Sequence, residues 1–135
     1  MPISLHNIVG YPAPTPGFSH ATAARGDRIV HVSGQPGTDE TGAVVAGGLA
    51  AQTERALLNV GLALEAAGAT FDDLARLTVY VVGWEPAMAE ELVRGGSAAR
   101  AQRPHPDVAV TLVGVASLFT PEMLIEIEAV AVVAD

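Results

Sequence analysis

The sequence predicts an α+β fold in which two helices lie on one face of a single β-sheet. Two stretches of helical periodicity, at about residues 48–67 and 86–100, are flanked by short segments rich in β-branched and aliphatic residues. The resulting order of elements is β-β-β-α-β-α-β-β, which is typical of a two-layer α+β domain. The chain of 135 residues shows neither an internal repeat nor a linker, so we expect one domain over residues 1–135.

The first part of the chain predicts three strands. Residues 3–9 are expected to form the first of them. Residues 18–24 and 28–33 are short runs rich in Ala, Ile, Val and His on either side of a glycine-containing turn, so we expect them to form a hairpin. Such a hairpin would place His20 and His31 on neighbouring strands, where their side chains can pair.

The second part of the chain alternates helices and strands. In the first helix, small and apolar residues recur at helical spacing, and Gly68 is a natural stop. Residues 74–82 are so rich in aliphatic side chains that we expect a strand buried on both faces. Pro86 is expected to open the second helix. Two further strands are expected over residues 108–116 and 123–133.

The composition excludes several classes of function. With 7 Arg, no Lys and 15 Asp plus Glu, the net charge is −8, which disfavours a nucleic-acid partner because such binding depends on cation–phosphate contacts. The absence of Lys excludes a lysine Schiff base, and the absence of Cys excludes disulfides and thiolate chemistry. No apolar run approaches the roughly 18 residues of a membrane span, and no targeting segment is visible. We therefore expect a cytoplasmic protein without a membrane partner.

The most unusual local feature is a pair of glutamates, Glu126 and Glu128, in an otherwise apolar strand. Because side chains alternate along a strand, both glutamates lie on one face, about 6.6 Å apart at roughly 3.3 Å per residue. Two carboxylates this close suit general acid–base chemistry or the binding of a substrate amine. The alternative is a solvated strand face with one glutamate paired to an arginine.

Histidine, serine and glycine residues are the other candidates for chemistry. The four histidines show no HxxxH or HExxH spacing, so we expect no metal site. His105 lies between two prolines and is expected on the surface. Ser33 and Gly34 end a predicted strand, where they form a turn or, alternatively, offer a hydroxyl and a free amide to a small anion.

Several motifs, taken in their order and spacing, resemble those of a known family. They are YPAP at 11–14, FSHA at 18–21, VSGQ at 32–35, QT at 52–53, LLNV at 57–60, LTVYV at 77–81 and LIEIEAVA at 124–131. Together they resemble the RidA/YjgF family over nearly the whole chain. The resemblance implies a chorismate-mutase-like α+β subunit and a homotrimer with a small-molecule cleft at each subunit interface. It also implies hydrolysis of reactive imines and enamines without a cofactor.

The resemblance assigns roles to residues that match the family's pattern. Glu126 matches the glutamate that positions the hydrolytic water, so it is the implied catalytic residue. Ser33 and Gly34 match residues that line the cleft and bind substrate. Glu91 falls near a polar, substrate-binding position of the second helix.

Three substrate-binding positions depart from the family's pattern. Val110 stands where the family's deaminases carry an arginine that holds the substrate carboxylate, Leu112 where the family has a cysteine, and Phe18 where it has a tyrosine. Valine cannot bind a carboxylate, so the resemblance implies a divergent member. Arg103, seven residues before Val110, is an alternative cation for the cleft.

Two functional hypotheses follow. In the first, the chain hydrolyses a small imine, enamine or related carbonyl compound that lacks a carboxylate, and Glu126 positions the water. In the second, the chain is a catalytically silent trimer that binds or senses a small ligand. An endoribonuclease activity, also attached to the family's name, is disfavoured by the net charge of −8.

We predict a homotrimer in solution. Only 16% of the residues are charged, so hydrophobic surface remains to be covered after the chain folds, and the resembled family covers it by forming trimers. Sedimentation at micromolar concentration is expected to give three times the mass of one chain. A stable monomer under these conditions would contradict the prediction.

Overall fold

A computed structural model describes residues 2–135 and contains the predicted order of strands and helices. The elements are β1 (Ile3–His6), β2 (Ala21–Ala24), β3 (Arg28–Pro36), α1 (Gly48–Ala66), β4 (Leu74–Val82), α2 (Ala89–Gln102), β5 (Ala109–Val115) and β6 (Ile125–Val133). Short 3₁₀ turns at Phe71–Asp73 and Pro86–Met88 lead into β4 and α2. Over the described range, no helix is both long enough and apolar enough to cross a membrane.

The main sheet has the strand order β3-β6-β4-β5. β6 is antiparallel to both of its neighbours, and β5 is parallel to β4. Each parallel connection passes through a helix: α1 links β3 to β4, and α2 links β4 to β5. Both helices pack on one face of this sheet, so the predicted α+β class with two helices on one sheet face is confirmed.

The hydrophobic core lies between the two helices and the main sheet. Val60 and Leu64 of α1 are fully buried against Leu74 and against Ile125 and Ile127 of β6. Along β6 every second residue is buried and the residues between are half-buried, which is the alternation expected of a strand covered on one side. The opposite face of the sheet therefore stays open, and we call it the open face.

The predicted hairpin between residues 18–24 and 28–33 is wrong. β2 pairs with β1 in a separate two-stranded sheet, whereas β3 pairs with β6, so the strands are divided between two sheets. The linking residues are held against the end of β6, because the Asp27 N–H donates to the Val133 carbonyl at 3.2 Å and Gly26 lies directly against that carbonyl. The chain therefore crosses from the small sheet to the main sheet at this point.

The predicted pairing of His20 with His31 is wrong for the same reason. His20 Nδ1 accepts a hydrogen bond from the Ile8 N–H at 2.9 Å, and its ring packs edge-on against Tyr11. His31 lies on β3 opposite Val130 of β6, and its side chain is exposed on the open face. The two histidines therefore belong to different sheets.

β4 is buried on one face and only half-buried on the other, which corrects the expectation of burial on both faces. Leu77 lies under the helices, whereas Thr78 and Tyr80 lie on the open face. Thr78 and Tyr80 are in register with Glu128 and Glu126 of β6. The open face thus combines polar side chains from neighbouring strands.

α1 and α2 are in backbone contact at Gly95. A Cβ at Gly95 would overlap the Ala50 carbonyl oxygen and lie 2.7 Å from the Thr53 Cβ. A Cβ at Gly96, one residue further along α2, would meet nothing within 4 Å. The two neighbouring glycines therefore differ in whether a side chain can be accommodated.

Gly95→Ala is predicted to lower the free energy of unfolding by about 1 kcal/mol or more, because the helices must separate and overpacking costs exceed the helix-propensity gain. Gly96→Ala, the matched control, is predicted to raise it by about 0.5–1 kcal/mol, since alanine favours a helix interior over glycine. Urea unfolding at one fixed protein concentration measures both values. Equal effects of the two substitutions would show that the helix contact at Gly95 does not limit packing.

Candidate functional site

β3 carries a β-bulge at residues 33–34 where it passes β6. Val32 pairs with Ala129, and the next pair is Gln35 with Ile127. Three residue positions along β3 therefore span the same distance as two along β6. Bulges of this kind re-aim side chains and backbone, and they are frequent beside functional sites. Here the bulge brings the backbone of residues 33–34 next to the two glutamates of β6.

The Glu126 carboxylate lies over the backbone of Gly34. Any Cβ at Gly34 would overlap the carboxylate, so glycine clears the space that Glu126 occupies. Glu126 is half-buried, and within residues 2–135 no Arg or His forms an ion pair with it. Glu126 therefore presents a carboxylate without a counter-cation beside the bulge.

Glu128 shares the open face with Glu126, as predicted, but its surroundings differ. The Tyr80 hydroxyl donates a hydrogen bond to Glu128 Oε1. This hydrogen bond, together with burial, raises the pKa of Tyr80 above its ordinary value of 10.0, so the phenol stays a donor. Across the described chain neither glutamate is paired to an arginine, contrary to the alternative expectation.

A polar depression of about 450 Å³ lies beside the glutamates on the open face. Ser33, Arg76 and Glu128 are among the residues that line it. The Arg76 guanidinium donates to Thr111 Oγ1 at 2.5 Å. For the part of the chain that is described, no group of three or more His, Asp or Glu side chains is arranged to hold a metal ion.

A second cavity, of about 170 Å³, lies on the opposite side of the sheet, between α2, β5 and the loop before β2. We call it the helix-side cavity. Leu57 of α1, Leu77 and Val79 of β4, and Ile127 of β6 contribute apolar walls. Arg100 and His105 also line it. The cavity is therefore apolar inside and carries its charge on the α2 side.

Two of the residues assigned by resemblance, Phe18 and Val110, line the helix-side cavity. Val110 pairs with Leu77 of the parallel strand β4, so its side chain points toward the helices and packs against the core. Leu112 pairs with Val79, has the same orientation and also packs against the core. The register of β5 thus places both strand residues on the helix side of the sheet.

Within one chain, the residues assigned by resemblance fall into separate groups. Glu126, Ser33 and Gly34 lie together at the bulge on the open face. Phe18 and Val110 lie on the other side of the sheet, in the helix-side cavity. A single subunit therefore does not bring the implied catalytic glutamate to the cavity.

Glu91 and Arg103 lie apart from both groups. Glu91 is exposed in the first turn of α2, 3.9 Å from Arg94. Arg103 Nη1 pairs with the Glu65 carboxylate of α1 at 2.7 Å, and Arg103 does not line the cavity that contains Val110. Arg103 is thus engaged elsewhere on the surface.

Sequence reasoning did not single out Arg100 from the other arginines, and it misplaced His105. His105, which was expected on the surface, is partly buried, with its ring centroid 5.3 Å from that of Phe71. Arg100 Nη1 lies 2.9 Å from Asp107 Oδ1, and Arg100 Nη2 lies 3.2 Å from His105 Nδ1. The available signal was the four-residue spacing of Gly96 and Arg100, which places a small residue and a cation on one helix face.

The fold and these two surfaces define a small α+β protein with candidate ligand-binding residues on both sides of one sheet. The family model described as endoribonuclease L-PSP matches residues 10–133. The chain belongs to this family, the RidA/YjgF family, as its motifs predicted.

Known proteins of the family resemble the chain over different extents. The crystal structure of YyfB, a conserved Rid-family protein of unknown function from Yersinia pestis, is 35% identical and superposes with a TM-score of 0.86, covering 98% of this chain and 100% of that one. The YjgF gene product of E. coli is 28% identical with a TM-score of 0.68, covering 96% and 98%. The 2-iminobutanoate/2-iminopropanoate deaminase of Rattus norvegicus is 40% identical over 70 residues, 51% of either chain. The chain spans about half the length of the curated relatives it matches.

Acidification is predicted to destabilise the protein through His105. Burial lowers the pKa of His105 below its ordinary value of 6.5, so the unfolded chain takes up a proton before the folded chain does. The stabilising contribution of the neutral imidazole is complete above pH 6.5 and is lost as the pH falls from there toward the lowered pKa. Thermal unfolding between about pH 5 and 8 should show a Tm that falls with acid, and His105→Gln should reduce this slope. An identical slope in the variant would contradict the assignment.

Proposed function

We propose that this chain is a RidA-type hydrolase that converts a small imine or enamine to a carbonyl compound and ammonia. The observation that carries the proposal is the Glu126 carboxylate, which is seated over Gly34 at the bulge and has no ion-pair partner among residues 2–135. The 40% identity to the deaminase of Rattus norvegicus over 51% of the chain supports this reaction class.

Hydrolysis of a C=N bond requires a base for the water, a proton donor for the nitrogen and a surface that orients the substrate. Glu126 takes one proton as the water oxygen bonds to the imine carbon. It passes that proton to the nitrogen, which gives a carbinolamine. Glu126 then takes the hydroxyl proton of the carbinolamine and delivers it to the nitrogen as the carbon–nitrogen bond breaks and the carbonyl forms. One water is consumed, ammonia leaves, and the carboxylate is regenerated, so the cycle balances without a further reactant.

The proposal places this reaction at the interface of a homotrimer. In one chain the sheet separates Glu126 from Phe18 and Val110, so one subunit does not enclose a substrate between them. An open face of one subunit set against the cavity side of the next would join the two groups in one cleft. Val9 and Phe119 are 97% and 92% exposed, and large apolar side chains of this kind are what a subunit contact covers.

A second candidate function is a catalytically silent trimer that binds or senses a small ligand. Val110 and Phe18 favour it, because both are apolar where the resembled deaminases carry an arginine and a tyrosine. RNA is not proposed as the substrate, although the family model is described as endoribonuclease L-PSP, since a chain with net charge −8 repels phosphates.

Glu126→Gln is predicted to lower kcat for ammonia release by about 10²- to 10⁴-fold, the usual contribution of a general acid–base group. The assay uses small imines generated in situ and measures ammonia. Glu128→Gln is the matched control, because it makes the same change on the same strand face but removes a carboxylate already engaged by Tyr80. Its effect on kcat is expected to be smaller.

Two outcomes would contradict the hydrolase. Ammonia release that is unchanged in Glu126→Gln would remove the proposed role of this carboxylate. A parent protein that binds small carbonyl compounds but releases no ammonia from any imine would favour the silent trimer.

A further inference from the structure

We propose that Gln52 and Asn59 of α1 are positioning residues for Glu126: their side-chain amides hold the backbone segments on both sides of this glutamate and so keep its carboxylate against the bulge. The inference deepens the function proposed above and rests on it for the reaction that Glu126 performs. The placement of the carboxylate is a structural property, so it can be measured without any substrate.

The ladder between β3 and β6 is weak beside Glu126. The bulge at residues 33–34 interrupts it, and its last pair is Pro36 with Glu126. Because proline has no N–H, it cannot donate a hydrogen bond to β6 at this pair. On the other side, Glu126 is in register with Tyr80 in an uninterrupted part of the β4 pairing. The ladder therefore restricts the backbone beside Glu126 less on the β3 side than on the β4 side.

Asn59 supplies a contact that the ladder lacks at this point. Its Nδ2 donates to the Pro36 carbonyl at 3.0 Å and to the Thr38 carbonyl at 2.8 Å. Arg55 orients this amide, because its Nε donates to Asn59 Oδ1 at 3.1 Å and to the same Thr38 carbonyl at 2.9 Å. The end of β3 is thereby tied to α1 at the residue that pairs with Glu126.

Gln52 holds the chain just before β6. Its Oε1 accepts a hydrogen bond from the Leu124 N–H at 2.9 Å, and its Nε2 donates to the Glu122 carbonyl at 3.1 Å. Gln52 is only 4% exposed, so its removal would leave two backbone groups without their partner. It also touches the continuation of β3, since a Cβ at Gly37 would be 2.6 Å from Gln52 Cα.

The two amides act from one face of α1. Gln52 and Asn59 are seven residues apart, which is about two helical turns, so one rigid element supports residues 36–38 and 122–124 together. Because the Glu126 carboxylate already touches the backbone of Gly34, a small movement of either segment changes their separation. A misplacement of about 1 Å can cost about a hundredfold in rate. Loss of either amide is therefore expected to affect kcat.

A double-mutant cycle measured by NMR on the full chain tests the placement of the carboxylate. Glu126→Gln removes the charge that lies over Gly34, so the amide signal of Gly34 is expected to shift. The same substitution in a Gln52→Met or an Asn59→Leu background is expected to shift this signal by about half as much or less, because the field of a charge falls with distance. Both background substitutions keep the approximate size of the side chain and remove its hydrogen bonds.

The kinetic test measures ammonia release from small imines generated in situ. Gln52→Met and Asn59→Leu are each expected to lower kcat about tenfold to hundredfold and to change KM by less than about threefold. The reason for this division is that neither residue lines the helix-side cavity or the polar depression on the open face.

Gln102→Met is the matched control for Gln52→Met. It makes the same change on α2, where the amide donates to the Glu54 carboxylate at 2.6 Å and to the Ala98 carbonyl at 3.3 Å. Neither acceptor belongs to a segment beside Glu126. This variant is expected to keep the parent's NMR shift and the parent's kcat.

Thr70→Ala is the control for stability. It removes the side-chain cap of the 3₁₀ turn that leads into the end of β4 away from Glu126, and loss of such a cap destabilises the fold. It is expected to retain the shift of the Gly34 signal and the parent's kcat. An equal fall of kcat in Thr70→Ala would assign the effect to stability and overturn the proposal.

Asn59→Ser decides the question if the apolar replacements do not fold, because it leaves room for water at the two carbonyls. A reduced shift of the Gly34 signal in this background supports the proposal. A shift equal to that of the parent overturns it. A parent in which Glu126→Gln leaves the Gly34 signal unmoved also overturns it.

The two measurements separate this inference from the proposed hydrolase. A reduced shift in a protein that releases no ammonia would retain the positioning role and remove the hydrolase. Ammonia release with a kcat that is unchanged by loss of either amide would retain the hydrolase and overturn this inference.

Discussion

The alternation of side chains along β6 is the constraint on which the rest of the structure depends. β6 is the antiparallel partner of both β3 and β4, and Ile125 and Ile127 are almost completely buried under the helices. A slip of one residue would exchange them for Glu126 and Glu128 and bury two carboxylates at a cost of roughly several kcal/mol each. Burial of the isoleucines therefore fixes the register of the sheet and, with it, both glutamates on the open face.

The strands on either side of β6 give the two glutamates different environments. The φ of Gly34 is not positive, so its backbone conformation does not require glycine. Glycine is required because the Glu126 carboxylate lies too close to leave room for a Cβ. Glu128, by contrast, is engaged by the Tyr80 hydroxyl. The two glutamates thus differ in their neighbours: Glu126 faces the backbone of the bulge, whereas Glu128 accepts a hydrogen bond from Tyr80 of β4.

The other side of the same sheet has a different chemical character. Parallel pairing of β5 with β4 directs Val110 to the helices, and the small residue Gly96 leaves room beside α2. Arg100 then brings the positive charge to this cavity from a helix.

Local periodicity is what the sequence by itself determined. The helix expected at about residues 48–67 is Gly48–Ala66, and the strand expected over residues 74–82 is Leu74–Val82, because apolar spacing reports the conformation of a continuous segment. The common face of Glu126 and Glu128 follows from the same period of two. Tertiary structure alone decided that β2 pairs with β1, that Val110 faces the helices, that His105 packs on Phe71 and that Arg100 lines a cavity. Each of these depends on which distant segments meet and in what register, and the spacing of residues within one segment does not encode that choice.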